Sequence, residues 1–141
     1  MQNPRELEAK VEGRHRTILI LWFALLMSIT IFFVMTRLIP SNSAEPNAVL
    51  SYALIGLAFT SVIVSILIKQ RFVQRAIQNR DAAILQTGYI MSFALSESAA
   101  LFGLVDHFVT GSKYYLFAFV LGLLGMLLHF PKKDHVRATI A

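Results

Sequence analysis

Met91-Ser-Phe-Ala-Leu-Ser-Glu97-Ser-Ala-Ala-Leu-Phe-Gly-Leu-Val105 sets one carboxylate inside a run that is otherwise small or apolar. The run reaches back to Ala82, just after Asp81, and stops before Asp106, giving 24 residues with Glu97 as the only charged side chain. As a helix, such a run rises about 36 Å and crosses the ~30 Å hydrocarbon core of a bilayer. Glu97 then falls about 5 Å from its centre, on the Asp106 side. A charged Asp, Lys or Arg at such a depth costs about 2.5–3.5 kcal/mol on insertion scales, so an intramembrane carboxyl is a functional candidate by default.

Composition agrees with a membrane reading. The chain of 141 residues is 56% hydrophobic and 15% charged, whereas soluble domains average about a quarter charged. With no cysteine there is no disulfide framework, thiolate metal site or thiol nucleophile to consider. The net charge of +5 is accounted for by loop topology, so nucleic acid is not an expected partner. The expected partner is the lipid bilayer.

Outward from the central run, four spans are expected, at about 17–36, 48–68, 82–105 and 114–130. Before them, residues 1–16 are polar. Asn3-Pro-Arg-Glu6 has a capping Asn and a first-turn Pro, which predicts a short solvated helix ending near Gly13, with a membrane-surface helix as the alternative. Three acids interrupt this segment, which argues against a cleavable signal peptide. In the first span, Ser28 and Thr30 are expected to bond to their own helix's carbonyls. Ser41-Asn-Ser-Ala-Glu-Pro-Asn47 reads as a short, turn-rich loop. After the second span, Phe72, Val73, Ala76 and Ile77 predict helix continuing beyond the bilayer.

Small residues mark the packing. Gly88, Ser92, Ser96 and Ala100 recur every four positions, Ala99 pairs with Gly103, and the fourth span carries Ala118-x-x-x-Gly122. Gly88, Ser92, Gly103 and Gly122 are therefore the candidate close-contact residues. Pro131-Lys-Lys133 stops the last span, and 131–141 reads as a tail.

Orientation follows from the basic residues. Segments 1–16, 69–80 and 132–141 hold four, four and three Lys or Arg, against one each at the other side, Arg37 and Lys113. Both termini are thus expected in the cytoplasm. Trp22, Tyr52, Tyr89, Tyr114 and Tyr115 fall near the expected interfaces, which suggests anchoring. The expected location is a membrane crossed several times, with the bacterial inner membrane as the compartment.

Ser92 to Val105 resembles the outer helix of the c subunit, the proteolipid of rotary ATP synthases: small and aliphatic residues, Glu, three small residues, an aliphatic, an aromatic, then Gly-Leu-Val. In that family a hairpin enters the cytoplasm through a polar loop and returns bearing the carboxylate; here Gln78-Asn-Arg-Asp-Ala-Ala83 occupies the loop. The resemblance covers roughly residues 50–108, with fourteen specific positions, and Arg80 stands where the family has Pro. It implies that Glu97 carries a proton or Na⁺, neighboured by Ser96, Ala100 and Phe102, and that the chain works as a homo-oligomer or with other membrane subunits.

Three functional classes follow: a non-enzymatic proton- or Na⁺-binding membrane protein, an accessory or assembly subunit of an energy-transducing complex, and a small cation or multidrug antiporter. In the second, Glu97 is a packing contact. No cofactor is expected. Asp106-His107 lacks a third ligand nearby and reads as an ordinary helix end at the outer surface. His129 could ligate a haem, but no second transmembrane His accompanies it, and a surface-anchoring role is expected. No Gly-x-Ser-x-Gly, phosphate loop or His-Glu-x-x-His is present.

Overall fold

The computed structural model describes residues 3–42 and 45–140, so part of the Ser41–Asn47 loop lies outside the described residues. The described chain is all-α: α1 (Pro4–Leu38), α2 (Ala48–Asn79), α3 (Ala82–Thr110), α4 (Tyr115–Leu128) and α5 (Lys133–Ile140). α1, α2 and α3 are long and apolar enough to cross a membrane, and α4 with α5 makes a fourth candidate if the pair, bent by 46°, counts as one span.

The helices outrun the apolar segments because a charged residue ends a membrane stretch without ending a helix. α1 starts where Asn3 accepts a hydrogen bond from the Arg5 N–H at 3.2 Å, with Pro4 in the first turn. It then passes straight through Gly13, against the expected stop there. A lone helical glycine costs about 1 kcal/mol, and Val11, fully buried in the main apolar cluster, holds the segment in place. α2 does continue past its apolar part, to Asn79. Arg80 closes it in the left-handed region at φ 49°, and Asp81 caps α3 through bonds from the Ala83 and Ile84 N–H groups. α3 runs five residues past Val105 and ends at Gly111, φ 63°, where a residue without Cβ fits. At 14 residues, α4 is about 21 Å long and cannot by itself cross a ~30 Å core. It stops at His129 because Pro131 disfavours helical backbone at Phe130.

α3 is the hub and packs closely on every other helix, whereas the backbones of α1 and α2 do not come close to each other. Its small stripe permits this. A Cβ on Gly88 would strike Phe72 of α2, and one on Gly122 would lie 3.0 Å from the Ala100 nitrogen and the Ser96 carbonyl. Gly103 meets Phe119 and the Tyr115 carbonyl at the same distance. Ser92 donates to the Ser65 carbonyl of α2 at 3.2 Å and to its own Gly88 carbonyl at 2.7 Å.

At one end of the bundle the N-terminal part of α1, the last turns of α2 and α5 come together; since most basic residues lie there, we call it the basic end. The tail expected over 131–141 is in fact mostly the helix α5, which buries Val136 and Thr139 and pairs Lys133 with Glu12 and Arg137 with Glu8. Arg14 reaches Gln86 at 2.7 Å, and the Trp22 indole donates to the Met126 carbonyl at 2.8 Å. Tyr89 and Tyr115 are buried in the core and so do not anchor at a surface; Tyr52 and Tyr114 are exposed.

Candidate functional site

Glu97 lies half-way along α3 on the side facing α1, the helix whose apolar stretch the chain itself covers least. The Ser28 hydroxyl of α1 donates to Glu97 Oε1 at 2.6 Å, and both side chains are half-buried. Ser28 therefore does not behave as Thr30 does, whose hydroxyl turns back to the Leu26 carbonyl at 3.1 Å as expected. Among the described residues, Glu97 has no cationic partner, since the two ion pairs both lie at the basic end. A serine hydroxyl has one proton and two lone pairs, so it can donate to a carboxylate or accept from a carboxylic acid.

The other residues that the resemblance grouped with Glu97 point elsewhere. Ser96 is buried, donates to the Ser92 carbonyl at 3.0 Å and lies against Gly125. Ala100 packs on Gly122, and Phe102 joins Ala58, Val62, Ala99 and Ala118 in a second apolar cluster. α1 supplies the hydrogen-bonding neighbour of Glu97, and the resemblance does not extend to that helix.

A second carboxylate is buried. Asp106 is fully covered, inside α3 and not at its end or at the surface; it accepts from Ser51 Oγ of α2 at 2.8 Å and from Thr110 Oγ1 at 2.6 Å. The expectation of a surface helix end fails because α3 continues past it by one more turn. Thr110, four residues on and on the same helix face, was the available signal. Its neighbour His107 bonds to the Ile39 carbonyl at 2.9 Å.

His129 is likewise interior, at 1% exposure, so the surface-anchoring expectation is corrected. Its Nε2 lies 2.7 Å from Ser65 Oγ, which also bonds to the Val62 carbonyl at 2.6 Å, while Nδ1 is buried without a partner. With the Ser65 proton on the Val62 carbonyl, the tautomer that fits is the one donating from Nε2, which leaves Nδ1 bare; with that proton on Nε2, Nδ1 carries the hydrogen instead. Beside it, Lys69 donates to the Leu128 carbonyl at 3.1 Å and lies 5.2 Å from the Tyr89 ring centre. The Tyr89 hydroxyl is 2.8 Å from His135 Nδ1 and accepts from the Lys132 N–H at 3.2 Å. No cluster of three or more His, Asp or Glu capable of holding a metal forms among the described residues.

No family model, curated protein or solved structure matches the chain. Its chemistry has to be argued from these side chains alone. What they offer is one half-buried carboxyl with a hydroxyl partner in mid-bundle, one sealed carboxyl near the end opposite α5, and a lysine–histidine group at the basic end.

Proposed function

We propose that this chain is a multi-pass membrane protein of four spans, both termini cytoplasmic, that binds a proton at Glu97 and passes it to a partner chain or a water path. The membrane setting rests on three long apolar helices and on the basic residues gathered at one end. The fourth span is α4 with the residues that flank it, about 114–130, and α5 lies beyond it at the basic end. The observation that carries the reading is the 2.6 Å bond from Ser28 to Glu97 half-way along the bundle, with no ion pair to Glu97 among the described residues.

A carboxylate at that depth is stabilised by the Ser28 O–H. When it takes up a proton, Ser28 can accept from it and turn its own hydrogen to the carbonyl one turn back, so both states keep a hydrogen bond. Na⁺ is the weaker candidate, because a hard cation needs several oxygen ligands and, among the described residues, the one side chain hydrogen-bonded to Glu97 is the Ser28 hydroxyl. Glu97 is half-buried, so part of its side chain is left uncovered by the chain itself and open to a partner chain.

The test uses the purified chain in liposomes. Carbodiimide is expected to label Glu97, with labelling falling as pH rises, and Glu97→Gln is expected to abolish both labelling and any proton leak. Absence of labelling at every pH, with wild-type liposomes as tight as empty ones, overturns the proposal. In that case, loss of co-purifying subunits on Glu97→Gln identifies the carboxyl as an assembly contact.

A further inference from the structure

Where α2 leaves its apolar stretch, a cleft of about 360 Å³ opens between α2, the end of α4 and α5. That volume lies in the usual range for small-ligand sites. Its polar wall is Lys69, Gln70, Gln74 and His135, and its apolar wall includes Ile66 and Leu128. Leu128 is largely exposed, so the apolar side continues onto the outer surface of the bundle.

These polar groups can all donate, and among the described residues none of them is paired with a carboxylate. Lys69 spends one N–H on the Leu128 carbonyl at the end of α4, which leaves two. Burial first, and Lys132 second, hold its pKa down to about 8, so it remains a cation at neutral pH and gains from an anionic neighbour. In the tautomer that accepts the Tyr89 proton at Nδ1, His135 presents a second donor, Nε2–H. Gln70 and Gln74 add amide donors one turn apart on α2. The nearby acids are otherwise engaged or outnumbered: Glu12 pairs with Lys133 and Glu8 with Arg137, and Asp134 acts on His135 against both Lys69 and Lys132.

We propose that this cleft binds a phosphate group, carried by an anionic lipid headgroup or by a free phosphate, through Lys69, His135, Gln70 and Gln74. The apolar wall beside those donors suits a ligand with an acyl chain, and lysine clusters at the cytoplasmic face attract anionic headgroups.

The test uses the full chain, purified and stripped of lipid in a zwitterionic detergent, with bound lipid read by native mass spectrometry and stability by thermal unfolding. Phosphatidylglycerol is expected to bind and stabilise where phosphatidylcholine does not. Lys69→Gln should weaken that binding about five- to tenfold, the scale of one basic residue near an anionic lipid. Gln74→Glu changes an exposed position, keeps the fold and sets a carboxylate in the wall; it should weaken binding at least as much. Lys113→Gln, at the opposite end, should change nothing. Millimolar inorganic phosphate that displaces phosphatidylglycerol in a Lys69-dependent manner supports the site with free phosphate as a ligand, and failure of phosphate to compete supports it with lipid as the source. Equal retention of the two lipids, or undiminished phosphatidylglycerol binding in both Lys69→Gln and Gln74→Glu, overturns it.

Discussion

Ser28 and Thr30 sit two positions apart in the same apolar stretch, and their hydroxyls do different work. Thr30 bonds within its own helix and faces outward, so Thr30→Ala should change stability by no more than about 0.5 kcal/mol. Ser28 bonds across to a carboxyl, and hydrogen bonds to charged groups contribute about 1.5–3 kcal/mol. Ser28→Ala should lose a large part of that. In a double-mutant cycle with Glu97→Gln, unfolding in mixed micelles should give a coupling of about 1 kcal/mol or more. Additive effects would place the Ser28–Glu97 bond outside the energetics of the fold. The acid itself was legible in the sequence, as one charge in a long apolar run. Its partner was not, because a serine in an apolar helix has a carbonyl of its own within reach, and only the packing of α1 on α3 decides between the two. Asp106 and His129 escape the sequence for a related reason: a polar residue near the end of an apolar run reads as surface, whereas Ser51 and Thr110 satisfy Asp106 inside the bundle and Ser65 meets the Nε2 of His129 there.

At the scale of the elements, glycines separate packing from tolerance. Gly122 has the Ala100 nitrogen and the Ser96 carbonyl 3.0 Å from where a Cβ would stand, and backbone of a facing helix cannot yield as a flexible side chain does. Gly122→Ala should therefore destabilise the α3–α4 contact by about 1–3 kcal/mol. Gly13 has nothing within 4 Å of that point and lies exposed in the middle of α1, so Gly13→Ala should stabilise by about 0.5–1 kcal/mol. Thermal unfolding of the two variants side by side checks both signs. The small-residue stripe of α3 was readable because packing of that kind leaves a periodic mark. The continuity of α1 through Gly13 was not, since the glycine is a local signal and the contact that overrides it, Val11 in the main cluster, is distant in sequence. α5 carries an apolar spacing of its own in Val136, Thr139 and Ile140, but five ionisable side chains within 132–137 mask it.

Taken as a whole, the molecule is fastened at its basic end by α5, and that fastening should respond to pH. The ion pairs of Lys133 and Arg137 are solvent-exposed and screened, so they add little to docking. Docking depends more on Val136, which is buried in the same cluster as Val11, and on His135 against Tyr89. Burial, then Lys69 and Lys132, hold the His135 pKa below the ordinary histidine value, with Asp134 opposing them in part. With α5 undocked, His135 titrates near its ordinary value of about 6.5. Between these two values the undocked state binds more protons, so docking strengthens as pH rises and weakens as pH falls below about 6.5. The Glu12 carboxyl, lowered by its bond to Lys133, stabilises docking above the ordinary carboxylate range and loses that effect only as pH falls through its depressed value. Acid loosening that begins near pH 6.5 is therefore attributable to His135 and not to Glu12. A spin label at the exposed position Ala138 should gain mobility between pH 7 and 5 in the wild type. His135→Gln should flatten that profile, Glu12→Gln should leave it in place, and Val136→Asp should free the label at every pH. A flat wild-type profile would mean that the imidazole is equally easy to protonate in both states, and that Val136 and its apolar neighbours hold α5 without any contribution from His135.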